Sequence, residues 1–515
     1  MKTYFVLLLL SVGQLLFSQN LPPTISNLQT SLDGNQIIID FDLEDNEGDL
    51  VQIDFRAGAI GSTALNLVTT NASGDLGDGI NPGTGKQIVW NWSEYADLGP
   101  NFRIMLTADD LIEVNIQSIV DAVDSLSLKS YLSQLVGTRH RTANPDHLAY
   151  VQDMILEVFQ ENKLETSVQT FDYGAYEAKN IIGRLIGSEE ETAVYILDGH
   201  YDSEPNTPGA DDNGSAVAGV LEALRVLSPY SFRKSIKFIG FDLEETGLTG
   251  SSFYVQNPLS DDENLEGVLN FEMIGYASNE PNSQTVPFGF NFLFPDAIAQ
   301  LEENNYRGDF ITVVSDGPST FLSDAYIRAI DSYVPQLNYL RLDILVPPSN
   351  VPDLSRSDHA SFWAANERAI MLTDGANFRN PNYHSPGDSI ETLDFTFMTG
   401  VVKASVAALA ELAEIRHATS TWLDTDFSTS VQDHNRCNFK VGPNPGSTML
   451  TVNNGDCSHG PASITILDSK GSTVYTSTLQ ELEELNIDVS AWSKGTYFVQ
   501  YQSAKQELVE QILLQ

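Results

Sequence analysis

Two glutamates, Glu244 and Glu245, stand side by side in FDLEETGLTG, residues 241–250, where an apolar run stops. That run, Ile236 to Phe241, reads as a buried strand whose side chains alternate between two faces. An acidic pair before Gly247 and Gly250 is ordinarily a solvated turn. It gains chemical meaning if neighbouring strands end in metal-type ligands, because open α/β sheets bind ligands at the carboxyl ends of their strands. AVYIL, residues 193–197, runs into DGHYDSEPNTPGADDNGSA, which carries His200, Asp202, Asp211 and Asp212. GVLNF, 267–271, runs into Glu272, and AIMLTD, 369–374, precedes NYHSPGDSIETLDF with His384 and Asp388. Each strand end delivers an imidazole or a carboxylate.

Glu272 lies between Phe271 and Met273 in an apolar strand, where an uncompensated carboxylate is costly to bury. It calls for a cation. Two histidines with three carboxylates suit zinc, which accepts nitrogen and oxygen donors. Asp212, Glu245 and Glu272 with one shared hydroxide balance two Zn²⁺ ions, and two metals sharing a carboxylate can activate a water for attack on a carbonyl.

The elements that must hold these residues form an α/β domain, a mostly parallel sheet with helices on both faces. SIKFIGF joins AVYIL, GVLNF and AIMLTD as strands, and AVYIL is apolar on both faces, as a helix-covered parallel strand should be. Asn144–Pro145 opens a helix with Leu148, Val151, Ile155 and Phe159 on one face; SAVAGVLEALRVL and FMTGVVKASVAALAELAEI supply two more. Tyr276 to Pro352 is expected to shape the substrate pocket. Residues 20–110 alternate with period two, as in Ile37, Ile39, Phe41 and Leu43, and are expected to form an immunoglobulin- or fibronectin-like β-sandwich. The acidic turn Asp45 to Asp49 could hold calcium, but it lacks EF-hand spacing, and a solvated hairpin turn is the expected reading. The expected domains are a leader at 1–19, the sandwich at 20–110, the α/β domain at 111–418, a linker at 419–435 and a second small sandwich at 436–515.

Among 515 residues, 70 are acidic and 27 basic, a net charge of −43. Such a surface excludes nucleic acid and anionic membranes as partners. Lys2, the apolar stretch Tyr4 to Phe17 and the small Ser18 read as a secretory signal peptide, and no later segment is expected to span a bilayer. Cys437 and Cys457, the only cysteines, can pair as one disulfide on an oxidising route. His140, His147, His417, His434 and His459 join no constellation and are expected at the surface.

The motifs GHYDS, GADDNGSA, the EE pair, NFEMIG, RSDHASFW and YHSPGDSIETLD occur in that order. Through them, residues 113–418 resemble the secreted co-catalytic di-zinc aminopeptidases, a family that includes glutaminyl cyclases and glutamate carboxypeptidase relatives. The resemblance implies a zinc exopeptidase acting on peptides with a free N-terminus. His200 and Glu272 would hold one zinc, Glu245 and His384 the other, and Asp212 would bridge them. Asp202 would orient His200, Glu244 would be the general base, and Asp358 and His359 would wall the site. Many relatives carry Asp where this chain has Glu272. The rival readings are a mono-zinc, glutaminyl cyclase-like acyltransferase and an adhesion or scaffold protein with an inactive peptidase domain. VGPNPGSTMLTV, ITILDSKGSTVYTS and IDVSAWSKGTYFVQY, with the terminal QILLQ, resemble the sorting domain of the type IX secretion system. That implies type IX machinery as a partner and export from a Gram-negative cell.

Overall fold

The computed structural model describes residues 21–60, 65–93, 101–260, 262–347, 350–425, 427, 440–442, 448–453, 462–468, 470–479, 484–502 and 507–514. The expected leader, Cys437, Cys457, His434 and His459 lie outside the described residues. The chain divides near residue 425 into two compact units.

An eight-stranded sheet is the frame of the larger unit. In chain order its strands are β1 (Glu165–Tyr173), β2 (Tyr176–Leu185), β3 (Glu190–His200), β4 (Lys234–Phe241), β5 (Asn264–Glu272), β6 (Phe310–Asp316), β7 (Asn338–Ile344) and β8 (Ala369–Thr373). They lie in the order β7-β6-β8-β5-β3-β4-β2-β1. The middle strands β8, β5, β3 and β4 run parallel. The sheet is mixed because β1, β2 and β6 pair antiparallel with their inner neighbours, while β7 runs parallel to β6.

Alternation along these strands feeds two cores. Tyr195 and Leu197 of β3 pack with Ile236, Phe238, Leu269 and Leu372 on one face. Val194 and Ile196 pack with Ile239, Val268 and Met371 on the other. The first core is closed by α1 (Ser125–Leu135), α2 (Pro145–Glu161), α3 (Ala216–Leu227), α5 (Thr320–Tyr333) and α6 (Phe395–Leu412), and the second by α4 (Thr249–Gln256) and shorter helices. At the start of α2 the Asn144 side chain accepts the His147 amide at 3.3 Å, with Pro145 in the first turn. Helix α6 corrects one expectation: with mean hydropathy 1.4 it is long and apolar enough to cross a membrane by length and composition. It is apolar nearly all round because it packs among α1, α3 and α5, and 67% of it is buried.

Ahead of the α/β region, one sheet joins Thr24–Asp33, Gln36–Glu44, Gly83–Asn91 and Ala72–Gly74. A second joins Phe102–Asp109, Val51–Ala59, Asn66–Leu67 and Gly77–Ile80. Ile37, Ile39, Phe41, Ile53 and Phe55 are buried, and Trp90 meets Phe55 and Phe102 edge-on at 5.2 and 4.9 Å. The second sheet is completed by Ala418–Asp424, antiparallel to Phe102–Asp109. Residues 419–424 are thus strand where a linker was expected; a polar edge strand in partial contact with water has a linker's composition. His417 is likewise buried, its Nδ1 2.7 Å from Asp110 Oδ2, although a surface position was expected. Asp45 Oδ1 accepts the amides of Glu47, Gly48 and Asp49, which closes the acidic turn.

The smaller unit, over residues 440–514, has a three-stranded and a four-stranded antiparallel sheet around Leu450, Val452, Ile464, Ile466, Val499 and Tyr501.

Arg103 ties the sandwich to its surroundings. The guanidinium, 5% exposed, donates to both carboxylate oxygens of Asp424 at 2.8 and 2.9 Å and also meets Glu165 of β1. Charge-assisted bonds of this kind are worth about 1.5–3 kcal/mol each. Arg103→Ala is expected to destabilise the larger unit by about 2–3 kcal/mol, read as a lowered midpoint in thermal unfolding.

Candidate metal centre

The carboxyl ends of the parallel strands bring the site together. His200 is the last residue of β3 and Glu272 the last of β5. Glu244 and Glu245 follow β4 through Leu243, whose φ of 59° turns the chain sharply. Asp212 precedes α3, and His384 lies in the loop after β8.

The adjacent glutamates diverge. Glu244 Oε2 lies 3.8 Å from His200 Nε2, whereas Glu245 Oε2 lies 3.4 Å from His384 Nε2. Asp212 stands between the imidazoles, with Oδ1 3.7 Å from His200 Nε2 and Oδ2 3.1 Å from His384 Nε2. Glu272 Oε2 is 3.5 Å from His200 Nε2. Every residue expected to hold metal is therefore here. Among the described residues, potential donors within 4.8 Å of one another form three groups: His200, Glu244 and Glu272, and Glu204, Glu245 and His384, both here, and Asp45, Asp49 and Asp110 at the acidic turn.

Supporting bonds fix these positions. Asp202 accepts the backbone N–H groups of Glu244 and Glu245 at 3.0 and 3.3 Å, and its Oδ1 lies 3.4 Å from His200 Nδ1. One carboxylate thus sets both the imidazole and the turn that splits the acidic pair. Asp388 accepts the N–H groups of Asp211 and Asp212 at 2.9 and 3.1 Å. Asp211 bonds the Gly275 amide and Asn380, which makes it an anchor of the loop. Ser357 donates to Glu272 at 2.8 Å. Asp358 and His359 are buried beside it, and burial lowers His359 to about 4, leaving it neutral near pH 7.

Several contributors have no individual mark in the sequence. Arg139 is fully buried and donates to the carbonyls of Tyr201, Leu135, Gly137, Pro208 and Gly209, pinning the loop between His200 and Asp212. Glu204, two residues past Asp202, gives its amide to Glu245 at 3.1 Å. Tyr383, next to His384, stacks on that imidazole at 3.7 Å and accepts a hydrogen bond from Arg356 at 2.8 Å. Closeness in sequence to Asp202 and to His384 was the only signal for the last two.

Burial of so many acids makes the site hungry for positive charge. Desolvation pushes Glu244 well above the ordinary carboxylate range and Glu245 up to about 8, with neighbouring carboxylates adding to both. For His200, burial works to lower the imidazole, but Glu244, Asp202 and Glu272 outweigh it and raise it well above its usual value. Desolvation likewise opposes the charged form of His384, yet Asp212 and Glu245 carry it up to about 10. His200 Nε2 and Asp212 Oδ2 are buried without a hydrogen-bond partner among the described residues. Imidazole and carboxylate donors facing inward with such orphaned atoms fit zinc. Beside Glu272 opens an apolar cleft lined by Phe290, Phe294, Leu301, Leu342 and Met371 among others. Much of that wall comes from the segment expected to shape the pocket.

Residues 180–409 match the model of peptidase family M28, and residues 440–515 match that of a secretion system C-terminal sorting domain, which marks the chain for export. YfbL of Escherichia coli, an uncharacterized protein, is 30% identical over 294 residues, covering 54% of this chain and 84% of that one. A probable zinc metalloprotease of Pyrenophora tritici-repentis is 26% identical over 340 residues, or 58% of this chain and 68% of its own. The aminopeptidase YwaD of Bacillus subtilis is 43% identical over 102 residues, 19% of this chain and 22% of that one. His200, Asp212, Glu244, Glu245, Glu272 and His384 all fall inside the matched region, and the chain belongs to peptidase family M28.

Proposed function

We propose that this chain is an exported aminopeptidase that uses two zinc ions to remove N-terminal residues from peptides. The observation that carries it is Asp212, one carboxylate between two imidazoles, each of which has its own glutamate. His200 and Glu272 would hold one zinc, Glu245 and His384 the other, with Asp212 shared. Two such ions lower the pKa of a water and polarise the scissile carbonyl.

The protein's own groups do the rest. Glu244, half-buried at the lip of the site, takes a proton from the attacking water. It returns that proton to the departing nitrogen as the C–N bond breaks, giving a free amino acid and a shortened peptide. Asp202 keeps the Glu244 amide in place, so the carboxylate cannot swing away with the turn. The acid-rich wall attracts the substrate's terminal ammonium. The apolar cleft beside Glu272 offers room for the first side chain. The names of the fungal zinc metalloprotease and of the Bacillus aminopeptidase support the metal and the reaction. Type IX machinery is the partner for export through the sorting domain.

A mono-zinc cyclase would need only one imidazole with its carboxylates. Here a second imidazole, His384, with Glu245 and the shared Asp212 argues for a second ion.

The glutamates of the acidic pair should separate by experiment. Glu244→Gln is expected to keep the parent's zinc content while activity falls by roughly two to four orders of magnitude. Glu245→Gln should lose one metal with its activity. Reversal of the two metal contents would exchange the roles. A peptide acetylated at its N-terminus should resist cleavage in a mass-spectrometric assay; internal cuts in it would exclude an exopeptidase.

A further inference from the structure

From Gln284 to Pro295 the sequence carries no charged side chain, in a chain of net charge −43, and places Phe288, Phe290, Phe292 and Phe294 at alternate positions. Gly289, with φ of +92° and open space where a Cβ would stand, turns the chain between the first two. Phe290 and Phe294 point inward, 7 and 8% exposed, and meet edge-on at 5.1 Å. Phe288 is fully exposed and Phe292 is 80% exposed. Pro287, Phe290 and Phe294 line the cleft whose wall includes Glu272 and Tyr383. The outward rings therefore stand on the solvent side of the segment that walls the cleft.

We infer that Phe288 and Phe292 form an apolar ridge that holds the part of a peptide substrate beyond its cleaved residue and selects apolar side chains there. The inference rests on the aminopeptidase reading. A peptide whose first side chain enters the cleft carries the rest of its chain out to solvent beside this segment, and two uncovered aromatic rings are costly in water unless something covers them. An uncharged ridge on an acidic protein gives an apolar segment a place where no carboxylate must be desolvated.

The test compares leucyl-nitroanilide, which has no residues after the cleaved one, with a leucine-led hexapeptide apolar at positions two to four. In the variant Phe288→Ser/Phe292→Ser, kcat/KM for the hexapeptide should fall about tenfold relative to the nitroanilide, mainly through KM. A hexapeptide with serine at those positions should show no such selective loss. Equal effects on all three substrates overturn the ridge while leaving the aminopeptidase reading standing. Failure of the parent protein to cleave any of them overturns both. A parent dimer that dissociates in the variant, seen by sedimentation, would assign the ridge to a second copy and overturn it too.

Discussion

Acids and imidazoles crowd the carboxyl ends of the sheet's parallel middle strands, and water is too scarce there to screen their repulsion. That electrostatic debt governs the architecture around it. His200 and Asp212 are buried with orphaned atoms, and desolvation raises Glu244 and Glu245 together. Positive charge has to enter, and the donors present favour zinc over the oxygen-only cations. The surrounding bonds are arranged to keep the acids from relaxing apart. Asp202 and Asp388 each accept two consecutive backbone N–H groups, and Arg139 spends its donors on loop carbonyls and not on the acids. The loops are held by backbone bonds, which leaves the ligand oxygens facing inward.

The strands that carry the site were the legible ones. β3, β4, β5 and β8 are short apolar runs ending in polar residues, because both faces are covered by helices and each carboxyl end meets the site. The outer strands gave weaker signals. β1 and β7 alternate with partly exposed residues, so their pattern resembles loop as much as strand. The strand Ala418–Asp424 could not be read locally at all, since its partner Phe102–Asp109 lies some three hundred residues earlier in the chain. At the site, residue types and strand ends were enough to pick out His200, Glu244, Glu245 and Glu272 as candidates that the fold brings together. Arg139 escaped notice because a buried guanidinium and an exposed one look alike in sequence.

The larger unit combines a catalytic frame with a sandwich that shares a strand and an arginine clamp with it, which makes the N-terminal region a structural part of the peptidase. Export is carried separately by the sorting domain at the chain's end.

The central claim is that one carboxylate, Asp212, is shared by two metals. Calorimetric titration of zinc into chelator-treated protein tests it most directly. The account predicts two equivalents for the parent chain, and one equivalent for either His200→Ala or His384→Ala. A single equivalent in the parent, with one of the two histidines dispensable for it, would contradict the account.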